Sequence, residues 1–373
     1  MKMSAAVLRE VSAPLSFESV ELDPPQSGEV LVRLRASGVC HSDVHYWQGH
    51  IARHLPIILG HEGTAEVMET GAGVSAFRPG DRVVLAFLPS CGRCPACLNG
   101  RSVFCEVSAR LRDGTMPDGT HRIRDAAGSP IDTLLFVSSF AEYSVVPEAS
   151  LVRLPDNVGW EQGALFGCGF TTGFGAVTRG IRVEVGDSVL VIGCGAVGLA
   201  AICGAAMAGA SSVVAVDTHQ PSLDAAVAVG ATHTILTAIS DEIVDTVLSL
   251  TGGVGADWAL ESVGGAASPS TIDAAFRSVR RGGTLAVLGL ANDQLKTLPI
   301  SPLALVTSGR TVRGVLFGNT NLRADMPRYL AMMSSGRLDM AGFVGGIRPF
   351  SEVNEVMASV NQGTSVGRTV LSF

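Results

Sequence analysis

The 373-residue chain is 47% hydrophobic and only 16% charged, with a formal net charge of −7 and a pI near 5.6. That length exceeds one ordinary core and implies about two domains, while the acidic balance and the lack of a dense Lys/Arg run exclude a nucleic-acid footprint. The apolar run Ala5–Leu8 is too short for a signal peptide, and the uncharged stretch from Ser188 to Val216 holds five glycines and Ser211-Ser212. It therefore reads as strand, turn, helix and strand rather than as a membrane span, and a cytoplasmic protein without membrane or nucleic-acid partners is expected.

Taken in order, Ala5–Leu8, Phe17–Val20, Glu29–Arg35, Gly63–Glu69 and Asp81–Phe87 read as short strands at turn-punctuated spacing, the pattern of a β-rich, barrel-like domain. Between them lie Cys40, in Gly38-Val-Cys-His-Ser-Asp43, and His61, in Gly60-His-Glu-Gly63. A catalytic zinc takes three protein ligands and leaves a fourth position open, and it accepts thiolate and imidazole together. Cys40 and His61 are two candidates, Cys168 is the best remaining cysteine for the third, and Asp43 can orient His61 from behind.

Eight cysteines stand at 40, 91, 94, 97, 105, 168, 194 and 203. Four of them, Cys91, Cys94, Cys97 and Cys105, fall within fifteen residues. Such neighbours are too close for separate disulfides but can close a tetrahedral shell, the mark of a structural zinc. The next stretch, Glu106–Val137, lacks periodicity and reads as a long functional or interface loop, followed by strand-like Phe140–Val146.

After Thr171 the period changes. Asp187–Ile192 reads as a buried parallel strand, Gly193-Cys-Gly-Ala-Val-Gly198 as a turn, Leu199–Ala208 as a helix, and Ser212–Val216 as the next strand, ending in Asp217. A Gly-x-Gly-x-x-Gly run in that context, with an acid nineteen residues beyond its last glycine, is a dinucleotide fingerprint. Gly193 permits the tight turn, Gly195 lets a pyrophosphate approach, Ala196 and Val197 belong to the same cofactor-binding turn, and Gly198 lets the helix pack on the strand. Asp217 suits ribose hydroxyls and repels a 2′-phosphate, and no Arg or Lys follows it closely, so NAD is favoured over NADP. Ala256–Glu261 and Gly283–Gly289 continue the α/β rhythm, which ends near Val312.

With these motifs in hand, and with Gly167-Cys-Gly169 and Gly367-Arg-Thr369 beside them, the chain resembles the zinc-dependent medium-chain alcohol dehydrogenases over nearly its whole length. The resemblance implies an α/β plus β architecture. A GroES-like β-barrel catalytic domain would occupy residues 1–170 and 312–373, with a Rossmann doubly wound parallel-sheet domain at 171–311. It implies two zinc ions per chain, with Cys40, His61 and Cys168 holding the catalytic one, and Glu62 as a nearby carboxylate able to approach it. Ser42 would take the substrate hydroxyl proton and His45 would pass it on; His41 and Arg368 would face the NAD pyrophosphate; Phe87, Phe140, Leu290 and Leu316 would line the substrate pocket. The length of the 106–137 segment resembles the dimeric branch, so a homodimer is expected. Two departures, His41 where many animal members carry arginine and Ser222 where some carry lysine, predict looser NAD binding and faster release. The expected reaction is oxidation of a primary hydrophobic alcohol to its aldehyde, and the reverse. Two rivals stand beside it: a glutathione-dependent formaldehyde dehydrogenase, which needs a cationic pocket such as Arg110 and Arg112 could supply, and a non-catalytic zinc-binding module.

Overall fold

Met3, Ala5 and Val7 turn inward from Lys2–Leu8 while Lys2 and Ser4 do not, but Ala6 and Leu8 are buried too, so the first strand starts with one face in the core and ends buried on both. The computed structural model describes residues 1–291, 296–363 and 365–373. It divides into two units, Met1–Cys168 with Asn321–Phe373, and Gly169–Thr320.

In the first unit a closed barrel runs in the order Lys2–Leu8, Ser16–Leu22, Ile123–Arg124, Pro130–Thr133 and Ile57–Ile58. The segment expected to be a loop at 106–137 thus supplies two barrel strands. They are two and four residues long, too short to show a period of two, and their pairing with Ser16–Leu22 and Ile57–Ile58 is what makes them strands. A second sheet joins Leu151–Arg153, Arg82–Ala86, Glu62–Thr70, Glu29–Gly38, Arg368–Ser372 and Val344–Pro349 in that order, with Tyr143–Pro147 also paired to Glu29–Gly38. Val30, Val32, Leu34, Ala65, Val67, Val83 and Leu85 fill its core.

The long segment is tied down electrostatically. Arg122 donates to both carboxylate oxygens of Glu29 at 2.8 Å and to Asp118 Oδ2 at 2.6 Å, with Arg122 and Glu29 both buried. A bidentate pair of this kind compensates charges that burial would otherwise penalise.

The second unit is a six-stranded, wholly parallel sheet in the order His233–Leu236, Ser212–Asp217, Ser188–Ile192, Ala256–Glu261, Val279–Val287 and Thr311–Gly314. This is the doubly wound order, with its first strand at the switch point. The strand Thr311–Gly314 lies parallel to Val279–Val287, so the chain leaves this unit at Thr320 rather than at 311. Four residues with no clear alternation could not announce that sixth strand. Ser188–Val216 folds as strand, turn, helix and strand, and among the described residues no helix is long and apolar enough to cross a membrane.

Candidate functional site

The three-residue site is built by strand register. Glu29–Gly38 pairs antiparallel with Glu62–Thr70, Ser37 opposite Gly63, so the residues just beyond the pairing, Cys40 and His61, are carried toward each other. Cys40 also caps the His41–Trp47 helix: its backbone N–H donates to Asp43 Oδ2 at 3.0 Å and its sulfur accepts the Ser42 N–H at 3.5 Å. Cys168 follows the Leu165–Gly167 turn. The ligand atoms of Cys40, His61 and Cys168, all buried, lie within 4.8 Å of one another. Two sulfurs and one ring nitrogen at that spacing are the donor set of a catalytic zinc with one position open.

Asp43 is fully buried and spends its carboxylate on the site. It meets His61 Nδ1 at 2.8 Å, the Gly60 N–H at 3.1 Å and the Cys40 N–H at 3.0 Å. A proton held on Nδ1 by the carboxylate leaves the Nε2 lone pair for a metal. Burial disfavours charge on His61, yet the charge and hydrogen bond of Asp43 outweigh it and raise the imidazole well above its ordinary value. A hydrogen bond from the Cys168 thiol holds Cys40 well below the usual thiol range against the opposing effect of burial. The same bond, reinforced by burial, pushes Cys168 up.

Glu62 is fully buried behind the cluster, and Gly38 makes room for it: a Cβ at Gly38 would fall 2.1 Å from Glu62 Oε1. Arg368 Nε stands 2.7 Å from that oxygen, and Arg368 Nη1 donates to the Val39 carbonyl at 3.0 Å. Expected to face a pyrophosphate, Arg368 is only 6% exposed and directs its charge inward. Burial opposes its protonation, but the charges of Cys40, Glu62, Cys168 and Asp43 hold it on. Nothing in the local sequence signals that pairing.

Ser42 and His45 are half-buried on the helix that starts at Cys40, and His41 is exposed on it. Phe87 meets His61 edge to face with ring centroids 5.6 Å apart. Phe140, expected in the substrate pocket, is 0% exposed in the core cluster with Leu59 and Ala141 and has no free surface to offer. Leu290 and Leu316, in the second unit, are 45% and 41% exposed. Arg110 and Arg112 are both exposed, Arg110 lying 3.8 Å from Asp113.

The four-cysteine segment brings its sulfurs within 4.8 Å of one another. Cys94 Sγ and Cys105 Sγ are 3.9 Å apart, close to the edge of about 3.8 Å expected for a tetrahedron of zinc–sulfur bonds. Cys91 Sγ accepts the N–H groups of Arg93 and Cys94 at 3.5 and 3.3 Å, and Cys105 Sγ accepts that of Cys91 at 3.3 Å. Backbone hydrogen bonds from Glu106 and then Cys97 lower Cys94 to about 6, whereas burial pushes Cys105 up to about 12. The N–H groups aimed at Cys91 and Cys105 favour anionic sulfur there, against the burial of Cys105.

In the second unit Gly193 adopts φ +93°, and a Cβ at Gly198 would lie 1.7 Å from the Gly193 carbonyl oxygen, so both positions require glycine. Gly195 is exposed with open space where its Cβ would stand, and it precedes the Ala196–Ala208 helix, whose start has no side-chain cap. Ala196 is buried and Val197 half-buried. An approachable backbone at an uncapped helix start fits a pyrophosphate. Asp217 ends the neighbouring strand and is engaged by that turn: the Cys194 N–H donates to Oδ2 at 2.7 Å and the His219 N–H to Oδ1 at 2.9 Å.

Comparison with known proteins identifies the family. Residues 26–156 match the alcohol dehydrogenase GroES-like domain and residues 196–335 the zinc-binding dehydrogenase domain. The chain is 36% identical over 371 residues to an NDMA-dependent alcohol dehydrogenase of Amycolatopsis methanolica, covering 100% of this chain and 99% of that one. To an alcohol dehydrogenase class-3 of Myxine glutinosa it is 35% identical, covering 99% and 97%. Among solved structures it superposes on benzyl alcohol dehydrogenase from Acinetobacter calcoaceticus with a TM-score of 0.91 at 28% identity, covering 100% of this chain and 99% of that one. An alcohol dehydrogenase zinc-binding domain protein from Burkholderia ambifaria gives 0.92 at 33% identity, with the same coverage. With its barrel, its parallel sheet and both of its sulfur clusters in place, the chain belongs to the zinc-dependent medium-chain alcohol dehydrogenases and is an oxidoreductase acting on alcohols.

Proposed function

We propose that this dehydrogenase oxidises primary hydrophobic alcohols, aliphatic or aromatic, to aldehydes with NAD as the hydride acceptor, and runs the reverse reaction. The observation that carries this reading is the convergence of Cys40, His61 and Cys168 around one point, with Asp43 orienting the imidazole. When bound, zinc supplies Lewis-acid polarisation of the alcohol oxygen, and NAD supplies the acceptor for the hydride.

The chain's own residues are assigned as follows in this proposal. Cys40, His61 and Cys168 hold the catalytic ion and Cys91, Cys94, Cys97 and Cys105 a structural one, two per chain, with Glu62 as a carboxylate in reserve beside the first. Ser42 takes the proton of the substrate hydroxyl and His45 receives it. Gly193, Gly195, Ala196, Val197 and Gly198 cradle the pyrophosphate of NAD, and Asp217 selects an unphosphorylated ribose. His41 is the exposed imidazole for the pyrophosphate, its basicity lowered first by burial and opposed by Cys40; Arg368, committed to Glu62 and Val39, serves charge balance first. We assign the protein to the cytoplasm and to a homodimer, as the resemblance implies.

A hydrophobic substrate is favoured by the apolar Phe87 ring against His61 and by the likeness to a benzyl alcohol dehydrogenase. The test is NAD reduction by the zinc-loaded protein with benzyl alcohol, a medium-chain alkanol and S-hydroxymethylglutathione, each run with and without NDMA because one relative is named for it. Higher kcat/KM with the two hydrophobic alcohols is expected. A clear advantage for the glutathione adduct, or for NADP, overturns the substrate or cofactor assignment.

A further inference from the structure

Three imidazoles stand in a row along the His41–Trp47 helix and the turn that ends it. Ring centroids of His41 and His45 are 5.8 Å apart, and those of His45 and His50 are 5.6 Å apart. The closer relationship is between the last two: His45 Nδ1 and His50 Nδ1 lie 3.4 Å apart in a hydrogen bond.

The backbone builds this pair. Gly49 takes φ +70° directly after the helix, reversing the chain, and the Ile51 N–H donates to the His45 carbonyl at 3.2 Å. Any side chain at Gly49 would be strained and would stand 3.0 Å from Val11 Cγ1. His50 is exposed, yet it is brought back to His45 by two local constraints.

A hydrogen bond between two Nδ1 atoms requires one to carry hydrogen and the other a lone pair. When His45 donates, its Nε2 has a free lone pair and can accept a proton, while His50 carries its hydrogen on Nε2 at the solvent side. Each ring then has one atom to receive and one to release. Charge does not settle on His45: burial lowers its basicity first, then the neighbouring His41 and His50, with Cys40 acting oppositely. The Val353–Asn361 helix, packed on the same helix, meets it through the uncharged pair Gln48 Nε2 and Asn361 Oδ1 at 2.9 Å. A proton that arrives at His45 is therefore driven onward.

We propose that His50 is the proton exit of alcohol oxidation, acting through His45. This rests on the reading above, in which one proton leaves the alcohol for each hydride transferred. As a proton binds His45 Nε2, the His45 Nδ1–H bond breaks and a His50 Nδ1–H bond forms; the His50 Nε2–H bond then breaks to water. One proton enters and one leaves with no net change of charge on either ring, but both tautomers invert; aldehyde reduction runs the sequence backward, and a second oxidation requires both rings to reset by proton exchange with water.

The experiment compares wild type, His50→Ala and His50→Gln as zinc-loaded enzymes, following first-turnover proton release with an indicator dye between pH 6 and 9 in dilute buffer. Release in both variants is expected to slow about tenfold, less than the roughly 10²–10⁴-fold contribution of a positioned acid–base group because water replaces the exit in part. The solvent deuterium isotope effect should rise, and added imidazole should restore His50→Ala to near the wild-type rate with KM for the alcohol unchanged. Proton release and isotope effect equal to wild type at every buffer concentration overturn the proposal, as does a loss that imidazole does not rescue. A wild-type enzyme that turns over normally separates either result from failure of the functional reading, which would show as no alcohol-dependent NAD reduction in the wild type itself.

Discussion

Asp43 accepts a hydrogen bond from His61 Nδ1 at 2.8 Å while its other oxygen holds the Cys40 N–H at 3.0 Å, so one buried carboxylate positions two of the three converging ligands. Asp43→Asn keeps the volume but replaces an anion by a neutral amide that cannot accept on both sides. Zinc affinity at the catalytic cluster should fall roughly 10–100-fold, the usual cost of losing a carboxylate behind a ligating histidine. Competition against a chromophoric chelator measures it, and unaltered retention would show that the carboxylate serves the capping box alone.

The two sulfur clusters should separate by mutation. Wild type should hold roughly two zinc ions per chain from its two ligand sets, and Cys97→Ser and Cys168→Ser roughly one each. Cys97→Ser should lower thermal stability and solubility, because the lobe from Cys91 to Cys105 has only a small sulfur-rich core of its own. Cys168→Ser should abolish turnover with the fold retained. Metal analysis with circular dichroism and activity decides it; matching phenotypes would contradict the division into structural and catalytic sites.

Cofactor preference should follow Asp217. Asp217→Gly with Thr218→Arg exchanges a charge that repels a 2′-phosphate for one that binds it, and a charge-assisted hydrogen bond of about 1.5–3 kcal/mol corresponds to roughly 10–100-fold toward NADP. Because Asp217 also accepts the Cys194 N–H, the double variant should lose some affinity for both cofactors. Asp217→Asn, which keeps an acceptor for that N–H without the charge, isolates the electrostatic part. Ratios of kcat/KM for NAD and NADP give the answer, and a wild type that already prefers NADP refutes the assignment.

Acid should loosen the long segment of the first unit. Burial works against the Asp118 carboxylate, but its hydrogen bonds to Arg122 and Thr120 hold it down at about 2. Its folded value lies below the unfolded value of about 3.9, so its contribution is complete above pH 4 and fades as pH falls from 4 through 2. Arg122→Ala would strand the buried Glu29 and should cost about 3–5 kcal/mol, read by denaturant unfolding at pH 7. A variant as stable as wild type would mean that water or another cation replaces the guanidinium.

What could be read from the chain is what is local to it. Four cysteines within fifteen residues can reach one ion whatever the rest of the fold does. The Gly193–Gly198 turn declares itself because strand, turn and helix follow one another and the glycines are required by contacts inside the motif. Asp43, three positions after Cys40, could be named as the carboxylate behind His61, whereas its bond to the Cys40 N–H is a cap that the structure reveals.

Tertiary structure decided the partners that lie far apart in sequence. Strands as short as Ile123–Arg124 carry no period of two, and only hydrogen bonding to Ser16–Leu22 makes them part of a barrel. The turning of Arg368 toward Glu62, the pairing of Arg122 with Glu29 and the burial of Phe140 all depend on which chain segments meet, and an isolated side chain contains no information about its neighbour. Composition and motif spacing specified the chemistry this chain can hold. The register between Glu29–Gly38 and Glu62–Thr70 set where that chemistry converges, because a shift by one residue would have turned each following side chain to the opposite face.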